Sequence, residues 1–187
     1  MPAKGSSKAT VYQLKVTLKD SRPPIWRRIQ VPGDITLYKL HQVLQVVMDW
    51  TDSHLHQFII GGRHYGEPDP EFQEVLSERR VKLSQVVRDE KARFVYEYDF
   101  GDDWLHQIVV EKILPPEEGK SYPVCLSGKR AAPPEDCGGI WGYYELLETL
   151  SNPDDAEYAG MLEWAGGPID PEEFDLDEIN QALRRLR

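Results

Sequence analysis

Cysteine is nearly missing from this chain: Cys125 and Cys137 are the only two in 187 residues, and the segment between them carries Pro133-Pro134. That scarcity excludes a disulfide framework and fits a reducing compartment, so the expected location is the cytoplasm. Long apolar runs are absent too. No stretch reaches the ~18 residues of a membrane helix, and Met1-Pro2-Ala3-Lys4-Gly5-Ser6-Ser7-Lys8 lacks the apolar core of a signal peptide. Neither a membrane span nor secretion is expected. Also lacking are the CxxC and HExxH spacings of strong metal sites and any internal repeat of 20 to 50 residues. Basic residues vanish from Ala131 to Leu183, a stretch that repels phosphate backbones.

What is present is a globular composition, 40% hydrophobic and 29% charged, with five Trp and nine Tyr, more aromatic surface than a disordered chain carries. The length suits a flexible N-terminus over residues 1 to 10 and a single domain over 11 to 187. Net charge is −10, split along the chain, with +6 in residues 1 to 39 and −16 beyond. Such a balance makes nucleic acid an unfavoured partner, and an acidic face for a basic protein stands beside the plainer reading of a solvated helical surface.

Tyr12, Leu14, Val16 and Leu18 alternate with polar residues, the period of a half-buried strand. After the Asp20–Pro24 turn, Ile25 to Val31 is its expected antiparallel partner. Leu37, Leu40, Val43, Leu44, Val47 and Met48 recur at helical spacing behind Thr36, which predicts a capped helix over about 37–50. Leu55 to Ile60 reads as a strand returning through Gly61-Gly62. Residues 67 to 80 read as a long loop, with a short helix at Leu83–Val87. Arg93–Phe100 and Trp104–Leu114 read as a hairpin about Gly101-Asp102-Asp103, and Pro115 to Gly139 as an extended loop. The last third changes period, predicting helices near 141–150, 154–164 and 175–186, with Asp175 capping the last. Strands first and helices last predict an α+β fold, an antiparallel hairpin-rich sheet packed by the 37–50 helix and the C-terminal helices.

One segment occurs twice. Residues 49–60, DWTDSHLHQFII, align with 99–110, DFGDDWLHQIVV, so that Asp49, Asp52, Leu55, His56 and Gln57 meet Asp99, Asp102, Leu105, His106 and Gln107. Each copy is an Asp-rich turn opening a strand whose alternate residues share a face. On that rule His54 and His56 share one face and Trp104 and His106 another. If the two strands are neighbours, His54, His56 and His106 with Asp99, Asp102 or Asp103 would supply ligands for a divalent metal. The plainer role is architectural, with the imidazoles bonding turn carboxylates. No cofactor is predicted on the architectural reading, and a divalent metal is predicted on the other.

Arg22, Arg27 and Arg28 with Trp26 are the candidate anion grip, because guanidinium binds phosphate bidentately and indole stacks on bases. Arg27 and Arg28 point to opposite faces of a strand, so ion pairing with the acidic helices competes with that role. Lys129 and Arg130 near Cys125 would lower its pKa, though a thiol without a placed base is expected to be inert. Trp141 and Trp164 fall in predicted helices and are expected in the core.

Pro24-Ile25-Trp26-Arg27-Arg28, His54-Leu55-His56-Gln57-Phe58, Tyr98-Asp99-Phe100-Gly101-Asp102-Asp103-Trp104-Leu105-His106, Ala132 to Gly139 with Gly142-Tyr143, and Phe174-Asp175-Leu176 together resemble the plasmid pRiA4b ORF-3-like family over about residues 11 to 183. The resemblance implies an α+β domain without an established activity. Some members are labelled resolvases of mobile elements, but no serine here is flanked by arginines as a serine recombinase requires. The leading expectation is a non-enzymatic binding or interaction module with a groove lined by Trp26, Trp104, His54, His56 and His106. The alternatives are a metal-dependent hydrolytic enzyme using the histidines and turn aspartates, and a nucleic-acid-binding accessory of a mobile element.

Overall fold

The computed structural model describes residues 9–68 and 75–186. The expected flexible N-terminus lies outside the described residues except for positions 9 and 10. Alternation in β1 (Val11–Leu18) buries Tyr12, Leu14, Val16 and Leu18. Its partner β2 (Trp26–Pro32) pairs antiparallel with Leu14 opposite Ile29, so the opening hairpin is as the period predicts. Thr36 Oγ1 accepts the Lys39 N–H to start α1 (Leu37–Val47). Leu37, Leu40, Val43, Leu44 and Val47 line its buried side, each contributing roughly 1.5–3 kcal/mol of burial as an upper bound. The helix stops before the expected residue 50, because Asp49 turns left-handed at φ 54°.

Strand β3 (His56–Ile60) returns through Gly61 and Gly62, both at positive φ, into β4 (Arg63–Gly66). Strand β6 (Arg93–Tyr98) and β7 (Trp104–Leu114) form the second expected hairpin. Two strands appear where loops were expected. One is β5 (Val75–Ser77), parallel to β4, inside the 67–80 stretch, of which 69–74 lie outside the described residues. The other is β8 (Val124–Lys129), antiparallel to β2. A Cβ at Gly128 would fall 2.5 Å from the Phe174 ring, so glycine there lets Phe174 close on the strand. Between β5 and β6 sits the one-turn α2 (Leu83–Val86).

The strands form one eight-stranded sheet ordered β5-β4-β3-β6-β7-β1-β2-β8, antiparallel except at β4–β5. Three C-terminal helices follow, α3 (Gly139–Ser151), α4 (Tyr158–Trp164) and α5 (Leu176–Arg185), the last capped by Asp175 Oδ1 on the Glu178 N–H at 2.9 Å. With five helices and a mostly antiparallel sheet among the described residues, the fold is α+β. One sheet face carries a continuous core with α1, including Phe58, Tyr96, His106, Ile108, Leu14 and Ile29. The opposite face is polar, as one-sided antiparallel sheets are, with Gln13, Arg28 and Glu111 bonded across it. Helix α5 lies along β8, and the Asn180 amide bonds both backbone groups of Cys125, accepting its N–H at 2.9 Å and donating to its carbonyl at 3.0 Å. No described helix is long and apolar enough to cross a membrane.

Candidate functional site

The two Asp turns open at the same end of the sheet, because β3 and β7 flank β6 on either side and both run against it. Asp49, Asp52, Asp99 and Asp103 all adopt left-handed backbone, which short polar side chains tolerate. The copies are joined directly, the Asp99 N–H reaching the Leu55 carbonyl at 2.8 Å. Asp99 Oδ1 holds the Gly101 N–H at 2.9 Å, which leaves Oδ2 for other work.

The three histidines that would have shared a site had β3 and β7 been neighbours are divided by β6. His56 is in register with Tyr98, and His106, on the other side of β6, with Tyr96. His54 precedes β3, so the alternation that was to put it beside His56 does not reach it. His106 is 0% exposed, edge-on to Trp50 with ring centroids 5.2 Å apart and tilted against Tyr96. Neither of its ring nitrogens has a hydrogen-bond partner of acceptable geometry. Burial lowers its pKa to about 4, the effect of nearby backbone carbonyls being too weak to offset it, so it is a neutral core ring.

His56 belongs to a network that sequence reasoning missed. Its Nε2 meets the buried carboxylate of Glu78 at 2.9 Å, and its ring stacks on His41 with centroids 3.4 Å apart and planes 2° apart. Gln45 Nε2 donates to the Tyr96 hydroxyl at 3.0 Å, and that hydroxyl lies 2.8 Å from His41 Nδ1. Gln45 occupies the Tyr96 oxygen as a donor, so Nδ1 is the acceptor that the Tyr96 proton meets, which assigns the His41 proton to Nε2, 2.8 Å from Asp52 Oδ1. Burial first, then the charge of His56, lowers the His41 pKa to about 4, with Asp52 and Glu78 opposing. His41 sits in the apolar stripe of α1 between Leu40 and Leu44, and a polar residue in that stripe was its only sequence signal. His41, Asp52 and His56 bring ligand atoms within 4.8 Å of one another. Parallel stacked rings, however, hold their lone pairs in separate parallel planes, and the network has already occupied both His41 nitrogens and Nε2 of His56.

His54 stands at the rim. Its Nδ1 is 3.6 Å from Asp99 Oδ2 and its Nε2 3.1 Å from Asp136 Oδ1. That second contact is close enough for an ion pair yet poorly directed for a hydrogen bond, and Nε2 is shut from solvent. Tyr98 lies edge-on beneath the ring at 5.8 Å. Asp136 arrives on the 131–139 loop, which hydrogen bonds at three of its residues pin over the turns. Trp50 Nε1 donates to the Pro133 carbonyl at 2.9 Å, Glu135 accepts from Thr51 and Tyr98, and Asp102 Oδ2 accepts the Gly138 N–H at 3.1 Å. Burial first and Glu135 next raise the Tyr98 pKa. Gly139, at φ 70°, lets α3 begin against the Asp102 carbonyl, where a Cβ would sit 2.5 Å away.

Of the remaining expected groove residues, Trp104 is buried and cannot line a surface, and Trp26 lies on the opposite face, stacked by Lys15 and Arg28. Asp102 and Asp103 are at the rim. The arginine grip is likewise divided. Buried Arg27 donates from Nε to the Val47 carbonyl at 2.8 Å and from Nη1 to the Trp26 and Lys129 carbonyls, while Phe174 covers its guanidinium. Arg28 pairs with Glu111 of β7 at 2.6 Å, not with the acidic helices, and the Arg22 N–H meets the Tyr144 hydroxyl. The link to the acidic third runs instead through Arg130 and Glu172 at 2.8 Å. Cys125 is not activated, because burial raises its pKa to about 11 despite Arg27. Burial, with Asp102 and Asp136, pushes Cys137 up to about 12. Trp141 and Trp164 are outside the core, 76% and 49% exposed. Trp141, with Leu55 at 65% and Phe100 at 50%, leaves large apolar side chains exposed around the carboxylates.

The family profile described as plasmid pRiA4b ORF-3-like protein matches residues 10–178. An uncharacterized protein, y4hQ, of Sinorhizobium fredii (strain NBRC 101917 / NGR234) is 41% identical over 181 residues, covering 95% of this chain and 93% of that one. A crystal structure of a protein of unknown function, MM3350, from Methanosarcina mazei Go1 superposes with a TM-score of 0.83 at 43% identity, covering 92% of this chain and 98% of the other.

Proposed function

Because the chain belongs to the plasmid pRiA4b ORF-3-like family, and the two relatives above bear names that assign no activity, we propose from its own surface that it is a binding module for a basic segment of a partner protein. The seat of binding is the end of the sheet where both Asp turns open. The observation that carries this reading is the exposure of Leu55, Phe100 and Trp141 on segments bonded to the turns and loop that carry Asp102, Asp103, Glu135 and Asp136. Leu55 and Phe100 are drawn together by the Asp99–Leu55 backbone bond, and Trp141 is in the first turn of α3, which starts on Asp102.

Arginine suits such a surface, since its guanidinium stacks on aromatic faces while its N–H groups pair with carboxylates. Exposed aromatics rimmed by charge are also the usual make-up of binding hot spots. A net charge of −10 repels nucleic acid and anionic membranes. Both thiols are held neutral by burial, which favours binding over covalent catalysis. Buried Arg27 and paired Arg28 argue against a phosphate grip.

The test uses a fluorescent nona-arginine peptide, with a nona-glutamate peptide as control, followed by anisotropy in chelator-treated buffer at low and high salt. Charge alone would attract the arginine peptide, so the informative arm is Phe100→Ser combined with Trp141→Ser. Those changes should weaken binding about tenfold, equivalent to ~1.4 kcal/mol, without altering the net charge. Unchanged affinity would remove the apolar rim from the reading and with it the proposal.

A further inference from the structure

We propose that His54, Asp99 and Asp136 form a binding site for one divalent first-row transition ion, with Zn²⁺ held more tightly than Mn²⁺ and both above Ca²⁺. The inference needs no protein partner and goes beyond the docking surface, although the two share an end of the sheet. One imidazole nitrogen and two carboxylate oxygens, all within 4.8 Å of one another, are a borderline-to-hard donor set of the kind such ions take.

The geometry distinguishes this group from an ordinary acidic patch. His54 Nε2 is closed to solvent, makes no hydrogen bond, and stands 3.1 Å from Asp136 Oδ1. Two ligands each ~2.0–2.1 Å from a tetrahedral ion are themselves separated by about 3.3 Å, so the observed approach already has the right span. A hydrogen bond would require the ring to aim at the oxygen; two donors sharing an ion need only aim at a common point. The neighbouring groups act as outer support. The Gly101 N–H fixes Asp99 through Oδ1 and leaves Oδ2 3.6 Å from the Nδ1 side of the His54 ring, one donor atom from each of the three residues lying within 4.8 Å of the others. Tyr98 braces the imidazole from below, and Asp102 pins the loop that carries Asp136 through Gly138. Asp136 is largely exposed and can rotate inward. Three protein donors leave at least one position open to water or to a ligand from outside.

The alternative arrangement of the same atoms is a protonated imidazole clasped by two carboxylates, and experiment separates them. Full-length, tag-free, chelator-stripped protein is titrated calorimetrically with zinc, manganese or calcium chloride. Expected is a single saturable zinc event at one equivalent, a weaker manganese event and no calcium heat. His54→Gln and Asp136→Asn should each weaken zinc by about tenfold or more, and Asp52→Asn, in the stacked-histidine network, should leave it unchanged. Cobalt(II) absorption gives a second reading that does not depend on stability, its visible bands appearing in the wild type and disappearing in His54→Gln. Failure of zinc to bind saturably, binding that survives both rim substitutions, or binding lost on Asp52→Asn would each overturn the assignment. The arginine-peptide measurement, made in chelator, stands or falls separately.

Discussion

His56 and His54 are two residues apart, yet one belongs to a largely buried network and the other to an open rim. The first stacks on His41 and meets buried Glu78, and His106, its counterpart in the doubled segment, is fully enclosed. The second faces Asp99 at 3.6 Å, too far for a hydrogen bond, and Asp136 at 3.1 Å, too poorly directed for one. What separates them is where β3 begins. From His56 onward the ladder directs alternate side chains into the core, and just before it the Asp turn holds His54 over the sheet end. In the core an imidazole is desolvated, and its nitrogens are either bonded within the network, as in His41, or shut away from any ligand, as in His106; at the rim it retains a nitrogen that a ligand can share. The doubled motif therefore encodes a place in the fold, and the depth of that place decides the chemistry.

The contrast can be broken most sharply at Glu78. Glu78→Ala leaves His56 without its buried partner and should cost about 3–5 kcal/mol of unfolding free energy in urea. A loss below ~1 kcal/mol would mean that the network is as wet as the rim. Acid titration is the next largest lever. His106 has its folded pKa lowered to about 4 against ~6.5 in the unfolded chain, so the unfolded state takes up the proton first. Its contribution is intact above pH ~6.5 and falls as pH drops toward 4, by about 3 kcal/mol in all. His41, lowered in the same direction, steepens the same limb. His106→Phe should flatten that limb while changing stability at neutral pH by less than ~1.5 kcal/mol, since no hydrogen bond is lost. An equally steep limb in this variant would show that the ring is not dry. The smallest effect belongs to the rim. Without metal, Asp136→Asn and His54→Gln should each alter stability by no more than ~0.5 kcal/mol. With zinc at a hundred times the wild-type dissociation constant, the wild type should gain about 2.7 kcal/mol and each variant about 1.4 kcal/mol or less.

The opening hairpin, α1 and the β6–β7 hairpin were legible because their periods run uninterrupted and their breaks fall at Asp, Pro and Gly. Strand β8 was hidden because Val124-Cys125-Leu126-Ser127-Gly128-Lys129 is short and half polar, and only β2 and α5 make it a strand. Trp141 misled for an identifiable reason. Gly139, Tyr143 and Leu146 form the buried line of α3 at spacings of four and three, and Trp141 is off that line, so the helical period placed it outward although its chemistry suggested the core. At the site, the Asp turns and His54 could be read from the motif, but Asp136 arrives from 82 positions later on a loop fixed by Trp50, Glu135 and Asp102. A local pattern cannot register such a long-range closure. His41 was disguised by the helical face that buries it.

Asn180 has a consequence beyond this chain's own stability. An open sheet offers its outermost strands to any other molecule with matching peptide groups, and a long unguarded border invites runaway association. Here one border ends in the three residues of β5, and along the other a helix lends a side-chain amide to the outward N–H and carbonyl of Cys125. That amide imitates one link of a ninth strand and ends the series, so a crowded population of these molecules meets side chains at that position where it would otherwise meet a template.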